Sequence, residues 1–316
     1  MLSKIQIAQK KDKLNSHLFF FVLFCLTITF FSCFYSVETY SLKESNGNQK
    51  SKPISITFNS EGSKIQGIFY PANINKPAPT VILLHGSPGN DKEPLGLGTK
   101  MMQEGINAFA FNYRGTWASE GFSSPKNSLQ DVNSAVAFLL SPNTIYDFSI
   151  DTTNLFIAGY SYGGNIAIMG SLNNPSIKKV ISIAGADLNE IARMIKNDEN
   201  FRKYFETTME QRRLNSEMVR SQSGKAMAEE LISTMDQYDF VKNAKELAQK
   251  DILLIGGWLD EQSTLEGHIL PLYRALQKND AKNLEIEMFN DNHSFKNVRE
   301  ALANKIISWI KKNTEK

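Results

Sequence analysis

The sequence predicts an α/β fold: a mostly parallel sheet covered by helices, with an N-terminal antiparallel hairpin and a helical cap insertion. Three observations predict it. Short apolar runs of strand length alternate with segments whose apolar residues recur at helical spacing. One such run, Leu155-Phe-Ile-Ala158, passes through Gly159-Tyr-Ser-Tyr-Gly163 straight into Asn165-Ile-Ala-Ile-Met169: a strand, a sharp turn and a helix. Residues 188–250 break the alternation, with helical patterns and no convincing strand.

The chain has 316 residues and a formal net charge of +2, which gives no argument for a nucleic-acid partner. Its two cysteines, Cys25 and Cys33, lie near the N-terminus. The main domain therefore has no disulfide framework, cysteine zinc site or cysteine nucleophile, and no metal site is expected.

Residues 1–17 are polar and rich in lysine, and residues 18–31 are apolar and uncharged. A basic segment followed by such a run is an export signal pattern. It ends at Ser32-Cys33 and resembles a bacterial lipoprotein signal, which would make Cys33 the lipidated residue after cleavage. The alternative is an uncleaved anchor helix, since the run reaches the lower edge of a membrane span. Either way residues 1–33 are read as a signal or anchor and the membrane as a partner. Residues 34–53, polar and rich in breakers, are read as a linker.

The main domain, residues 54–187 and 251–316, follows. Ile54-Ser-Ile-Thr-Phe58 and Ile65-Gln-Gly-Ile-Phe-Tyr70 flank a turn and predict the hairpin. Thr80-Val-Ile-Leu-Leu84 is a buried strand ending at His85-Gly86. A helix is expected over 95–104, a strand over 107–113 and a helix over 128–140, the last with its stripe at Val132, Ala135, Val136, Leu139 and Leu140. After the strand-turn-helix come strands over 180–184, 251–257 and 284–289, then helices over 265–278 and 295–312. Ligands of such sheets bind beyond the carboxyl ends of the strands. His85, Arg114, Ser161, Asp187 and Asp260 all fall there. The insertion 188–250 should lie over that edge as a cap. Met194, Met209, Met218, Met227 and Met235 could form its own core or an adaptable apolar lid.

The G-x-S-x-G spacing has a physical reason. Lifting a serine oxygen out of so sharp a turn strains the serine backbone. The chain then passes too close for side chains at Gly159 and Gly163, and the next helix points free N–H groups at the reacting centre.

With His85-Gly-Ser-Pro-Gly89, Tyr113-Arg-Gly-Thr-Trp-Ala-Ser119, Gly256-Gly-Trp-Leu-Asp260 and Asp291-Asn-His-Ser294, the chain resembles an α/β-hydrolase over residues 54–312, in its serine aminopeptidase-like or acyl-peptidase-like bacterial branch. The resemblance implies a catalytic triad in chain order: Ser161 nucleophile, Asp260 acid and His293 base. Glu261 and Asp187 are alternative acids, and His268 and His85 alternative bases. It also implies an oxyanion hole from the backbone N–H groups of Ser87 and Tyr162. Arg114 is expected to tie its loop to backbone or an acid, and Trp117 either to line the pocket or to pack the loop.

The expected function is a serine hydrolase acting on a small-molecule or peptide acyl substrate through an acyl-enzyme, without a cofactor. Esters are favoured because the chain lacks room for the propeller domain of oligopeptidase relatives. An exopeptidase, a thioesterase and a non-catalytic binding protein are the competing readings.

Overall fold

The computed structural model describes residues 52–90, 92–215 and 217–314. The export segment, Cys33 and nearly all of the linker lie outside the described residues.

The strands form one eight-stranded sheet: β1 (Ile54–Ser60), β2 (Ser63–Tyr70), β3 (Ala78–Leu84), β4 (Asn107–Phe111), β5 (Ile150–Tyr160), β6 (Lys179–Ile183), β7 (Asp251–Gly257) and β8 (Leu284–Phe289). Their spatial order is β1-β2-β4-β3-β5-β6-β7-β8. β2 pairs antiparallel with both β1 and β4, and every pair from β4 to β8 is parallel. The chain winds outward from β3 to β4, then returns to the far side of β3 as β5. That reversal opens a crevice at the carboxyl ends of β3 and β5.

Helices α1 (Leu97–Gln103), α2 (Pro125–Leu139), α3 (Pro142–Phe148) and α4 (Tyr162–Asn173) belong to the first half. The period-two geometry of a strand divides β3 between two cores. Ile82 and Leu84 face one layer with Val132, Ala135, Val136 and Leu139 of α2, as the predicted stripe requires. Val81 and Leu83 face the other. Burial on both faces explains why these strands read as unbroken apolar runs.

α2 begins earlier than expected. Ser124 accepts from the Asn127 N–H as N-cap and Pro125 occupies the first turn, so the helix gains a turn before its apolar stripe. The same Ser-Pro device at Ser141-Pro142 starts α3, a helix the apolar pattern did not reveal. β4 stops at Phe111, short of the expected Tyr113.

The insertion holds α5 (Leu188–Asn197), α6 (Glu199–Asn215), α7 (Gly224–Thr234) and α8 (Ala244–Leu247). Asp187 caps α5 by accepting from the Asn189 and Glu190 N–H groups. Main-chain bonds fasten the insertion to the core. Trp117 N donates to Met218 O (2.8 Å), Arg220 N to Gly115 O (2.6 Å) and Ser123 N to Arg220 O (2.7 Å). Gly115 has φ 70°, and a Cβ there would sit 2.2 Å from Ser123 N. Only glycine permits this approach.

The last helices are α9 (Leu270–Lys278) and α10 (Arg299–Thr314). A π-turn, Leu265–Ile269, precedes α9, so the expected helix over 265–278 changes pitch near Pro271, which has no N–H to continue the ladder. α10 starts four residues later than expected, because residues 295–298 remain in the loop after β8. There Asp291 accepts from Asn297 N at 2.8 Å and Asn297 Nδ2 at 3.0 Å.

A buried cluster joins the hairpin to the core. Asp131 of α2 accepts from Ser60 Oγ (2.7 Å), Arg114 N (2.7 Å) and Arg114 Nε (2.6 Å). Arg114 also donates to Asn127 O and Gln130 Oε1. Burial pushes the Asp131 carboxyl up against the pull of these donors. Replacing Asp131 with alanine strands Arg114 in the interior. Denaturant unfolding of Asp131→Ala should show a loss of about 3–5 kcal/mol. A loss below about 1 kcal/mol would contradict the assigned role.

Candidate active site

β5 runs into α4 through Ser161, whose backbone takes φ 56° and ψ −119°. A bulky residue reaches this region only when its surroundings hold it there. Ser161 N donates to Ile183 O at 2.8 Å, and Ser161 O accepts from Gly164 N and Ala186 N at 2.9 and 3.1 Å. A Cβ on Gly159 would lie 1.9 Å from Gly163 O, and one on Gly163 would lie 2.5 Å from Leu84 O. Both glycines are therefore obligatory, for the crowding reason the motif suggested.

Ser161, His293 and Asp260 come together from three elements. Ser161 Oγ lies 2.9 Å from His293 Nε2. His293 Nδ1 lies 2.7 Å from Asp260 Oδ2. The other Asp260 oxygen accepts from Gln262 N (2.8 Å) and Ser263 N (2.9 Å). Burial opposes ionisation of Asp260, but the bond to His293 and the two N–H donors outweigh it and hold the carboxyl below its usual range. Asp260 is thus a buried anion fixed at both oxygens.

Main-chain bonds hold the Asp260 turn and the His293 loop together. Trp258 N donates to Phe289 O (2.8 Å) and Leu259 N to Asp291 O (3.1 Å). The Tyr160 hydroxyl donates to His293 O at 2.9 Å, and its ring lies 5.2 Å from the imidazole. Sequence reasoning missed Tyr160 as a support of this loop. Its place beside the elbow serine, at the end of a strand, was the available signal.

The alternative residues are held elsewhere. His268 Nδ1 accepts from Asp187 N at 3.0 Å, and burial lowers its pKa. Asp187 is occupied as the cap of α5. Glu261 is exposed at the rim of a cavity. His85 is buried, donates from Nδ1 to Gly86 O at 2.7 Å and packs on Tyr113. Trp117 spans to the same loop through its indole N–H, which donates to Pro88 O at 3.3 Å. Of its two readings, it packs the loop.

Tyr162 opens α4, where a backbone N–H has no intrahelical acceptor. The loop from β3 passes beside the serine: a Cβ on Gly86 would lie 3.3 Å from Ser161 Cβ. Ser87, next in that loop, borders both cavities that meet at Ser161. One cavity, ≈ 900 Å³, is wide and polar and includes Asn90, Glu261, Asn292 and Arg299. The other, ≈ 230 Å³, lies under the cap against Phe205, Met209, Met227 and Leu231. Three of the five methionines take up the expected places and two do not. Met209 and Met227 line this cavity and Met235 packs in the core, whereas Met194 and Met218 are exposed. Among the described residues no cluster of acidic, histidine or cysteine side chains is arranged to hold a metal ion.

Burial drives the His85 pKa down to about 4. An unfolded histidine binds a proton below about pH 6.5, and the folded one resists until much lower. The unfolded state therefore carries more protons in that window, and stability falls as pH drops through it. His85 alone should cost about 3 kcal/mol by pH 4. Urea unfolding of the wild type should show this loss, and His85→Asn should show a shallower pH slope. Equal slopes would refute the assignment.

The BD-FAE family model matches residues 67–280 of the 316. A stretch of 115 residues is 32% identical to the uncharacterized protein YfhR of Salmonella typhi, covering 35% of this chain and only 38% of that protein. Among solved structures, Est1E from Butyrivibrio proteoclasticus is similar with a TM-score of 0.63 at 17% identity, over 83% of this chain and 99% of that one. The acylaminoacyl peptidase of Pyrococcus horikoshii is similar with a TM-score of 0.58 at 18% identity, over 84% of this chain and 42% of that one. At such identities the structural likeness speaks for the fold. The strand order, the elbow at Ser161 and the extent of the family match agree: the chain belongs to the BD-FAE family and has the α/β-hydrolase fold.

Proposed function

We propose that this protein is a serine esterase working through an acyl-enzyme. The observation that carries the reading is the hydrogen-bonded line from Ser161 Oγ through His293 to the buried Asp260 carboxylate. In the proposed reaction His293 Nε2 takes the Ser161 proton as Oγ attacks the ester carbonyl. Asp260 fixes the tautomer with the proton on Nδ1 and stabilises the imidazolium that forms. The carbonyl oxygen becomes an oxyanion held by the Tyr162 and Ser87 N–H groups. His293 then gives its proton to the leaving alkoxide, and a water deprotonated by His293 releases the acid.

The two cavities suggest where the halves of the substrate sit. The leaving group must lie on the His293 side to receive its proton, and the wide polar cavity borders His293. The acyl group then occupies the small apolar cavity beside Tyr162. An ester suits this arrangement, and the similarity to a solved carboxyl esterase from Bacillus coagulans favours the same reading. The likeness to an acylaminoacyl peptidase keeps amide hydrolysis as the second reading.

The test is labelling with a fluorophosphonate probe together with turnover of p-nitrophenyl esters and aminoacyl p-nitroanilides. Wild type should label and Ser161→Ala should not. Turnover should fall about 10⁶-fold in Ser161→Ala and about 10⁴-fold in Asp260→Asn, which leaves His293 in the wrong tautomer. Folded wild type that does not label would sink the reading. Anilides turned over faster than esters would replace esterase with peptidase.

The proposal extends to location: an exported domain tethered to the membrane through Cys33, with an N-terminal anchor as the alternative. Among the described residues no helix is long and apolar enough to cross a membrane. Mass spectrometry of the purified membrane form should find an acylated Cys33 at its N-terminus. An intact Met1 would refute cleavage.

A further inference from the structure

We propose that Arg212 selects acyl groups that end in a carboxylate, making the preferred substrate a monoester of a short dicarboxylic acid. The inference rests on the esterase reading and deepens it.

The small cavity beside Ser161 is apolar on its cap side, yet Arg212 also lines it. Arg212 follows Met209 by three residues on α6, so the two share a helix face. It is partly buried. No carboxylate lines this cavity. Burial keeps His85, Tyr113 and Tyr162, which also line it, uncharged. Arg212 therefore supplies the charge of the cavity.

Nothing among the described residues neutralises that charge. The other arginines of α6 are paired, Arg202 with Glu206 at 2.8 Å and Arg213 with Glu210. Glu210, two residues from Arg212, is occupied by Arg213 and by the Gly224 N–H. Arg212 has neither an ion pair nor a hydrogen bond of its side chain among the described residues. The planar fork of an unpaired guanidinium fits a carboxylate at two points. Met209, Met227 and Leu231 line the same cavity as Ser161 and Arg212, and their side chains make walls that suit methylene groups. A chain of methylenes ending in an anion matches both features. A volume of ≈ 230 Å³ limits that chain to a few carbons.

The experiment compares kcat/KM for mono-p-nitrophenyl succinate, glutarate and adipate with that for chain-matched neutral p-nitrophenyl esters. Rates are normalised to sites titrated with fluorophosphonate, in wild type, Arg212→Gln, Arg212→Leu and Arg212→Lys. Wild type should prefer the anionic ester by about tenfold or more at one chain length. The preference should vanish in the Gln and Leu variants and survive in part in Arg212→Lys. A wild type without the preference, or variants that retain it in full, would overturn the proposal. If wild type hydrolyses no ester at all, the esterase reading has failed. Calorimetry with glutarate then decides the role of Arg212: binding that is lost in Arg212→Gln supports it, and no binding to wild type overturns it.

Discussion

One residue, Ser161, is forced into a left-handed conformation, and the surrounding chain is arranged to keep it there. A lone strained residue would relax by rotating its backbone. Here Ile183 and Ala186 hold its N–H and C=O from the side of β6, while Gly164 closes the turn within α4. The end of β3 presses on the elbow through Leu84 and His85, so the strand that leads into the Gly86–Ser87 loop also bounds the serine turn. Together these contacts over-determine a backbone conformation that would otherwise relax.

The remaining site is assembled with little reliance on side-chain packing. Asp260 and His293 leave adjacent parallel strands, β7 and β8, and main-chain bonds pin their turns to each other. A Cβ on Gly257 would lie 2.4 Å from Asp291 O, so the two loops touch at backbone distance. The Asp260–His293 spacing follows from strand register. This accounts for a 2.7 Å bond between side chains 33 residues apart in sequence.

Much of this was legible in the sequence, and the reasons differ by element. The buried strands were clear because both faces are apolar, which leaves uninterrupted runs. The grouping of Ser161, Asp260 and His293 was legible because each follows a predicted strand, and the structure brings the three side chains together. The beginning of α2 and all of α3 were missed because their signals are Ser124-Pro125 and Ser141-Pro142, caps rather than apolar periodicity. Asp131 was hidden for another reason. It sits on the buried face of a helix, where a carboxylate reads as an exception, and its partners Ser60 and Arg114 are far away in the chain. Arg212 could not have been singled out either, since its lack of a partner among the described residues is a fact of packing.

The strap between Gly115 and Arg220 joins cap to core through main-chain atoms. Such a mount is indifferent to most side chains on either side of it, provided that Gly115 is kept and with it Arg220, whose guanidinium also donates to Trp117 O and Ser119 O. The helices beneath can exchange the residues that face the serine without loosening their attachment. In evolutionary terms the cap is a changeable fitting on a standard socket. Substitutions along α6 and α7 can then reshape the small cavity and leave the sheet and its turns untouched.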